Sequence, residues 1–248
     1  MKFLSLYSRL KPKDVIAGVI VGISAFVLCI CLALIAIVYS PSVYISAYQK
    51  GCIDADYYVD SDNYVAYYTT LTEFLATSDT EVLSSATFKV NNEISNMFTD
   101  SDAVVLKPAA SFFNAVRYIA AFSGIVSVAV LLIGFIKKGK SGLSKISACA
   151  LPAFLICAVS LFLFLYISHL SGHDISYLLF NIFTLKGLNS HTFGFLNLFY
   201  GTVTMQVFTD AFLKISGLFC VIMLIIILSL CNVAFKKKKD DNEDFMYQ

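Results

Sequence analysis

Four long apolar stretches, at 15–39, 111–136, 146–169 and 210–235, alternate with polar or basic segments along this chain. Each is longer than the roughly 20 apolar residues a helix needs to cross a bilayer. The first ends in VYSPSVY rather than in a small-residue cleavage site, so it reads as a retained span and not as a signal peptide. Within it, Gly18 and Gly22 form a small-xxx-small pair that would let another helix approach closely. In the polar segment that follows, Tyr64, Tyr67, Tyr68, Leu71, Phe74 and Leu75 recur at i, i+3, i+4, i+7. This spacing predicts an amphipathic helix over 62–76, with a short strand expected over 86–90. Pro108 precedes the second span, and Pro152 is expected to kink the third. The segment 166–214 is crowded with Phe, Leu, Ile and Tyr but broken by Gly187, Asn189 and His191. It makes a poor span and is expected to lie at the membrane surface or to re-enter it, forming one wall of any site.

Composition agrees with the pattern. Of 248 residues, 58% are apolar and 14% charged, which is the balance of a polytopic membrane protein. Trp is absent, so interfacial anchoring falls to Tyr and Phe. Of the 18 Lys and Arg residues, four lie in 1–14, four in 137–145 and four in 236–239. Four spans put all three clusters on one side, the cytoplasm by the positive-inside rule.

The predicted fold is therefore an all-α membrane protein with four transmembrane helices, an exoplasmic polar region and an aromatic interfacial or re-entrant segment. The expected order is a cytoplasmic basic N-terminus (1–14), a first span (15–39), an acidic exoplasmic region (40–110) and a second span (111–136). A cytoplasmic basic turn (137–145), a third span (146–169) and the exoplasmic aromatic segment (170–209) come next. A fourth span (210–235) and a cytoplasmic tail (236–248) complete the chain. The expected location is the plasma membrane, with both termini cytoplasmic.

The net charge of +1 is segregated along the chain and leaves no nucleic-acid footprint. Six of the seven cysteines lie in apolar stretches and only Cys52 in a polar one, so no disulfide framework is expected. The acidic run Asp54, Asp56, Asp60, Asp62 lacks the Gly turn and distal Glu of a calcium loop and reads as a solvated face. The span centres carry essentially no ionisable residue, which argues against proton-coupled carriers and ion channels.

Ionisable groups collect instead at the outer edge. Arg117 and Lys214 are candidate lipid-headgroup ligands, with simple snorkelling as the competing reading of Arg117. Asp210 precedes Lys214 by four residues, a spacing that favours pairing on a helix. His169, His173, His191 and Asp210 are the candidate catalytic groups. His169 and His173 would suit zinc only with a third ligand such as His191, and the Glu of a metalloprotease helix is missing between them, so no metal and no cofactor is expected. Neither a nucleophile elbow nor a phosphate-cradling loop is present.

Several short motifs occur in a telling order. The first span ends in Ser40–Pro41–Ser42–Val43–Tyr44, and Asn63–Tyr64 opens the amphipathic helix. Phe113–Asn114–Ala115–Val116–Arg117 starts the second span, and Ile182–Phe183 and Phe208–Thr209–Asp210 follow the third. This order resembles the DUF1461 family of integral membrane proteins of Gram-positive bacteria, which includes the lipoprotein intramolecular transacylase. The resemblance covers nearly the whole chain and implies acyl transfer within a lipoprotein at the outer leaflet, with membrane lipid and a lipoprotein as partners. It also implies two histidines. The first corresponds to Phe112 here and the second to Phe180 or Asn181, while the family's W-x-F is similar to Phe193–Gly194–Phe195. Phe cannot transfer a proton and Asn can only hydrogen-bond, so the departures imply a fold kept with its acyl-transfer chemistry lost or rerouted. A non-catalytic membrane scaffold or binding protein of the same fold is the alternative. The sequence sets no oligomeric state.

Overall fold

The computed structural model describes residues 11–40, 42–43, 45–46, 61–90, 93–96, 98, 100–170 and 202–243. Helix α1 is Pro12–Val38, α2 is Ser61–Thr77 and α3 is Thr80–Ser85. Strands β1 (Thr87–Val90) and β2 (Glu93–Asn96) pair antiparallel, with Thr87 opposite Asn96 and Val90 opposite Glu93. The segment Asp100–Leu170 is helical except at Gly139, whose φ of 58° and ψ of −150° belong to a backbone region open to glycine alone. It therefore comprises α4 (100–138) and α5 (140–170). The last helix, α6, is Thr202–Glu243.

The helical fold class holds, and the short strand expected over 86–90 is present as Thr87–Val90 in a two-stranded hairpin. Several expectations need correction. The second long helix begins at Asp100 and takes Pro108 inside it rather than starting at 111. Residues 137–145 are not an open turn: lysine, serine and leucine all tolerate helix, and only Gly139 leaves it. The last helix starts before Asp210 and continues past Phe235 through Lys236–Lys239, because nothing there breaks a helix.

The chain divides into two compact units. The first comprises 1–32, 119–167 and 216–248. Many of its buried residues are small or polar (Ala25, Cys29, Ala150, Ser144, Ser147, Ser216), packed beside a few large ones such as Phe154, Ile146 and Ile227, whereas Phe122, Ile125, Ile156 and Val159 are each more than half exposed. Large apolar groups left outside, with small residues where the helix backbones meet, are the arrangement of a protein whose solvent is lipid. Among the described residues, three helical stretches are long and apolar enough to cross a membrane, Pro12–Val38, Leu106–Ile167 and Thr209–Asn232. The protein is a membrane protein.

Gly18 and Gly22 close this unit. A Cβ on Gly18 would collide with Cys149 Cβ and lie 2.8 Å from the Ile146 carbonyl oxygen, and one on Gly22 would lie 2.5 Å from the Ala150 carbonyl. The small pair thus seats α1 directly on the backbone of α5, as its spacing predicts. Two polar contacts tie α6 in: Ser144 Oγ donates to the Cys231 carbonyl at 2.7 Å and Cys29 Sγ to the Phe219 carbonyl at 3.6 Å. Lys138 Nζ donates to Asp14 Oδ1 at 2.5 Å, joining the residue before the Gly139 break to the first turn of α1.

The second unit comprises 33–118 and 168–215. Leu71, Phe74 and Leu75 of α2, Leu83 of α3 and Phe98 bury against Leu106, Ala109, Ala110 and Phe113 of α4, with Val38 closing the cluster. Here the pattern is the ordinary one of a globular core, and Leu71, Phe74 and Leu75 of the stripe that predicted α2 are buried in it, with Tyr68 packed against them.

Candidate functional site

At the edge of this second core sits Arg117, one helical turn after Phe113 on α4. Its Nη1 donates to the Ala76 carbonyl at 2.9 Å and to Asn114 Oδ1 at 3.2 Å. Its Nη2 donates to the Tyr39 hydroxyl, and the guanidinium carbon stands 5.1 Å from the centre of the Tyr39 ring. Asn114 Nδ2 in turn donates to Ser78 Oγ at 2.9 Å. Tyr68 Oη donates to the Tyr39 backbone carbonyl at 3.3 Å.

The local sequence explains the node. α2 ends at Thr77, and Ser78 adopts a left-handed φ of 60° while its N–H donates to the Phe74 carbonyl at 2.7 Å. This is a C-terminal cap without the usual glycine. The Ala76 carbonyl is one of the acceptors that a helix end leaves unpaired. A guanidinium there satisfies it and neutralises the negative end of the helix dipole.

Tyr39, just past the end of α1, is partly buried. Burial pushes its phenol up from the ordinary value, against the pull of the Arg117 charge and hydrogen bond. Burial likewise pushes the Tyr68 phenol up, against a hydrogen bond from Thr72. Both phenols are protonated at neutral pH.

Arg117 uses three of its five N–H donors in these bonds. Among the described residues, two N–H groups and the Tyr39 hydroxyl proton have no protein acceptor. Such a set of donors can hold an anionic or ester oxygen. Among the described residues, no carboxylate or imidazole is hydrogen-bonded to the node.

The other expected site residues are dispersed. Asp210 and Lys214 are both exposed on α6, and the one ion pair among the described residues is Lys138–Asp14. The expected Asp210–Lys214 pairing is thus not formed; two solvated side chains gain little from holding one geometry. His169 falls in the last turn of α5. His173, His191, Phe180, Asn181 and Phe193–Gly194–Phe195 lie outside the described residues, as do Cys52, Asp54, Asp56 and Asp60 and the segment 171–201 expected at the membrane surface. Phe112 is described: its ring meets Phe113 edge-on at 5.4 Å and packs against the α2–α4 core. Among the described residues, no group of three His, Cys, Asp or Glu could hold a metal.

Sequence reasoning singled out Arg117 but missed Tyr39 as its partner. The signal was available. One span ends at Tyr39 and the next starts near Arg117, so connected antiparallel helices bring the two to one level.

Three solved structures of the membrane integral lipoprotein intramolecular transacylase Lit from Bacillus cereus share this architecture. The form carrying a histidine-to-alanine substitution is 16% identical, with a TM-score of 0.58 over 92% of this chain and 96% of that one. A histidine-to-arginine form is 15% identical with the same TM-score. A third is 17% identical, with a TM-score of 0.59 over 92% of this chain and 98% of that one. This protein has the fold of Lit. No family model and no curated protein matches the chain.

Proposed function

We propose that this protein is a four-span plasma-membrane protein that binds a lipid or a lipid-anchored lipoprotein at the outer leaflet, using the transacylase fold without two-histidine acyl transfer. The observation that carries this reading is the fold likeness to Lit over 92% of this chain and 96% of that one. In this reading the chain is a divergent member of the family its motifs resemble.

Four spans are supported by geometry. The stretch Leu106–Ile167 has 62 residues and would be about 93 Å long as one helix, against a hydrocarbon core of about 30 Å. Breaking it at Gly139 makes two spans, and the basic clusters then put both termini and 137–145 in the cytoplasm. The 40–110 and 170–209 regions face out. Arg117, with Tyr39, and Lys214 hold the headgroup. Phe112, packed in an apolar core, supports binding over catalysis, because the resemblance puts a proton-transferring histidine at that position.

The test is mass spectrometry of lipoprotein N-termini after expression in a host lacking N-terminal acylation, with capture of a diacylated lipopeptide by the purified protein. The expected result is capture, weakened about tenfold by Tyr39→Phe, with the lipoprotein amines left free. An N-acylated lyso-lipoprotein would overturn the binding reading. Alanine variants of His169, His173, His191 and Asp210 would then identify the base.

A further inference from the structure

In the first unit, α1 and α5 leave between them an open groove of about 380 Å³. Its walls are Val15, Val19 and Ile23 on α1 and Cys149, Ala153 and Ile156 on α5, with Pro152 beside them. It flanks the contact where Gly18 and Gly22 bring the two helices together. Every lining residue is apolar, and Val15 and Ile156 are 41% and 66% exposed. From Val15 to Ile23 the groove runs about 12 Å along the helix, close to the roughly 15 Å of hydrocarbon in one leaflet.

Continued by one turn toward the N-terminal end of α1, both stripes change character together. The residue four before Val15 is Lys11, and the residue four before Cys149 is Lys145. Lys11 precedes the first turn of α1, its carbonyl accepting from the Val15 N–H at 3.3 Å, and Lys145 shares the α5 face of Cys149, so each wall ends at a lysine. Lys138, close by in sequence, is paired with Asp14, but neither Lys11 nor Lys145 has a carboxylate partner among the described residues.

We propose that this groove is a binding site for an anionic phospholipid of the leaflet at the N-terminal end of α1. One acyl chain lies along Val15–Val19–Ile23, and the phosphate rests between Lys11 and Lys145. A second copy of the chain fits worse. Close helix packing in a membrane needs small residues on the approaching face, and Gly18 and Gly22 are already spent against α5. The branched Val15, Val19, Ile23 and Ile156 leave a slot that a flexible hydrocarbon chain fills better than a helix. This site is separate from the Tyr39–Arg117 node and stands whether or not that node binds lipid.

Native mass spectrometry of the purified full chain, titrated with phosphatidylglycerol or phosphatidylcholine of matched acyl chains, tests it. The expected result is one tightly retained phosphatidylglycerol, bound about tenfold more strongly than phosphatidylcholine. K11Q and K145Q each weaken the anionic lipid about fivefold, the effect of one surface lysine, and leave the neutral lipid unchanged. V19F fills the groove and lowers retention of both lipids; I156F, at a more exposed position, does the same should V19F unfold. Equal retention of the two lipids, indifference to K11Q/K145Q, or unchanged binding in a folded V19F or I156F protein would each overturn the proposal. A disulfide-linked dimer formed by V19C alone would assign the groove to a second copy instead and overturn it as well.

Discussion

The two units of this protein solve the same packing problem in opposite ways. In the unit containing 33–118, large side chains are inside: Phe74 and Leu83 are almost fully buried among Leu71, Leu106 and Phe113. In the unit containing 119–167, many large side chains face outward, and Phe154 and Ile227 are buried among Ala, Ser, Cys and Gly that let the helix backbones approach closely. One is built for water, where burying apolar area drives folding. The other is built for lipid, where hydrocarbon outside is as good as hydrocarbon inside and close backbone approach supplies the attraction. The contrast predicts reciprocal sensitivity. Removing volume should damage the first kind of core, and adding volume the second.

The largest expected effect is Phe74→Ala, about 3–5 kcal/mol for an aromatic ring with no exposure, read as a loss of thermal stability of the purified protein. Gly22→Leu should cost about 3 kcal/mol, because the added Cβ meets the Ala150 carbonyl, which cannot rotate away. Leu163→Ala removes nearly as many atoms as Gly22→Leu adds, yet at an exposed position it should change stability far less than Phe74→Ala. An equal loss from Leu163→Ala and Phe74→Ala would break the comparison.

Arg117→Ala should cost about 2 kcal/mol, leaving the Ala76 carbonyl at the end of α2 without its partner. Arg117→Lys should recover only part, since one ammonium cannot span Ala76, Asn114 and Tyr39 together. The smallest effect is Tyr68→Phe, about 0.5–1 kcal/mol for its bond to the Tyr39 carbonyl. It carries a pH signature. Burial raises the Tyr68 phenol in the folded state, so its contribution is complete below the unfolded value of about 10. It is lost as pH rises through the higher folded value. Tyr68→Phe should flatten the alkaline limb of a stability–pH curve.

Much of this was legible in the sequence for physical reasons. The i, i+3, i+4 stripe in 62–76 marks α2 because a half-buried helix must repeat that way, and Tyr68, Leu71, Phe74 and Leu75 of that stripe lie on its core face. The Gly18–Gly22 pair foretold a close helix contact, though not that α5 would make it. Polarity misled at 137–145, where lysines and serines resembled a loop; polar residues permit helix, and one glycine makes the break. The Arg117 node was half visible. An arginine at a span edge is conspicuous, but its acceptor is a backbone carbonyl, and a carbonyl has no signature in a sequence.

The single-residue break at Gly139 also bears on how the protein reaches its membrane. In the proposed four-span arrangement, two apolar helices joined by one glycine would enter a bilayer as a pair, since no slack separates them. Lys137, Lys138 and Lys140 crowd the tip, and carrying a lysine through the bilayer centre costs about 2.5–3.5 kcal/mol. Once inserted, the hairpin has no practical route to turn over, so its orientation is fixed at synthesis and persists for the lifetime of the molecule.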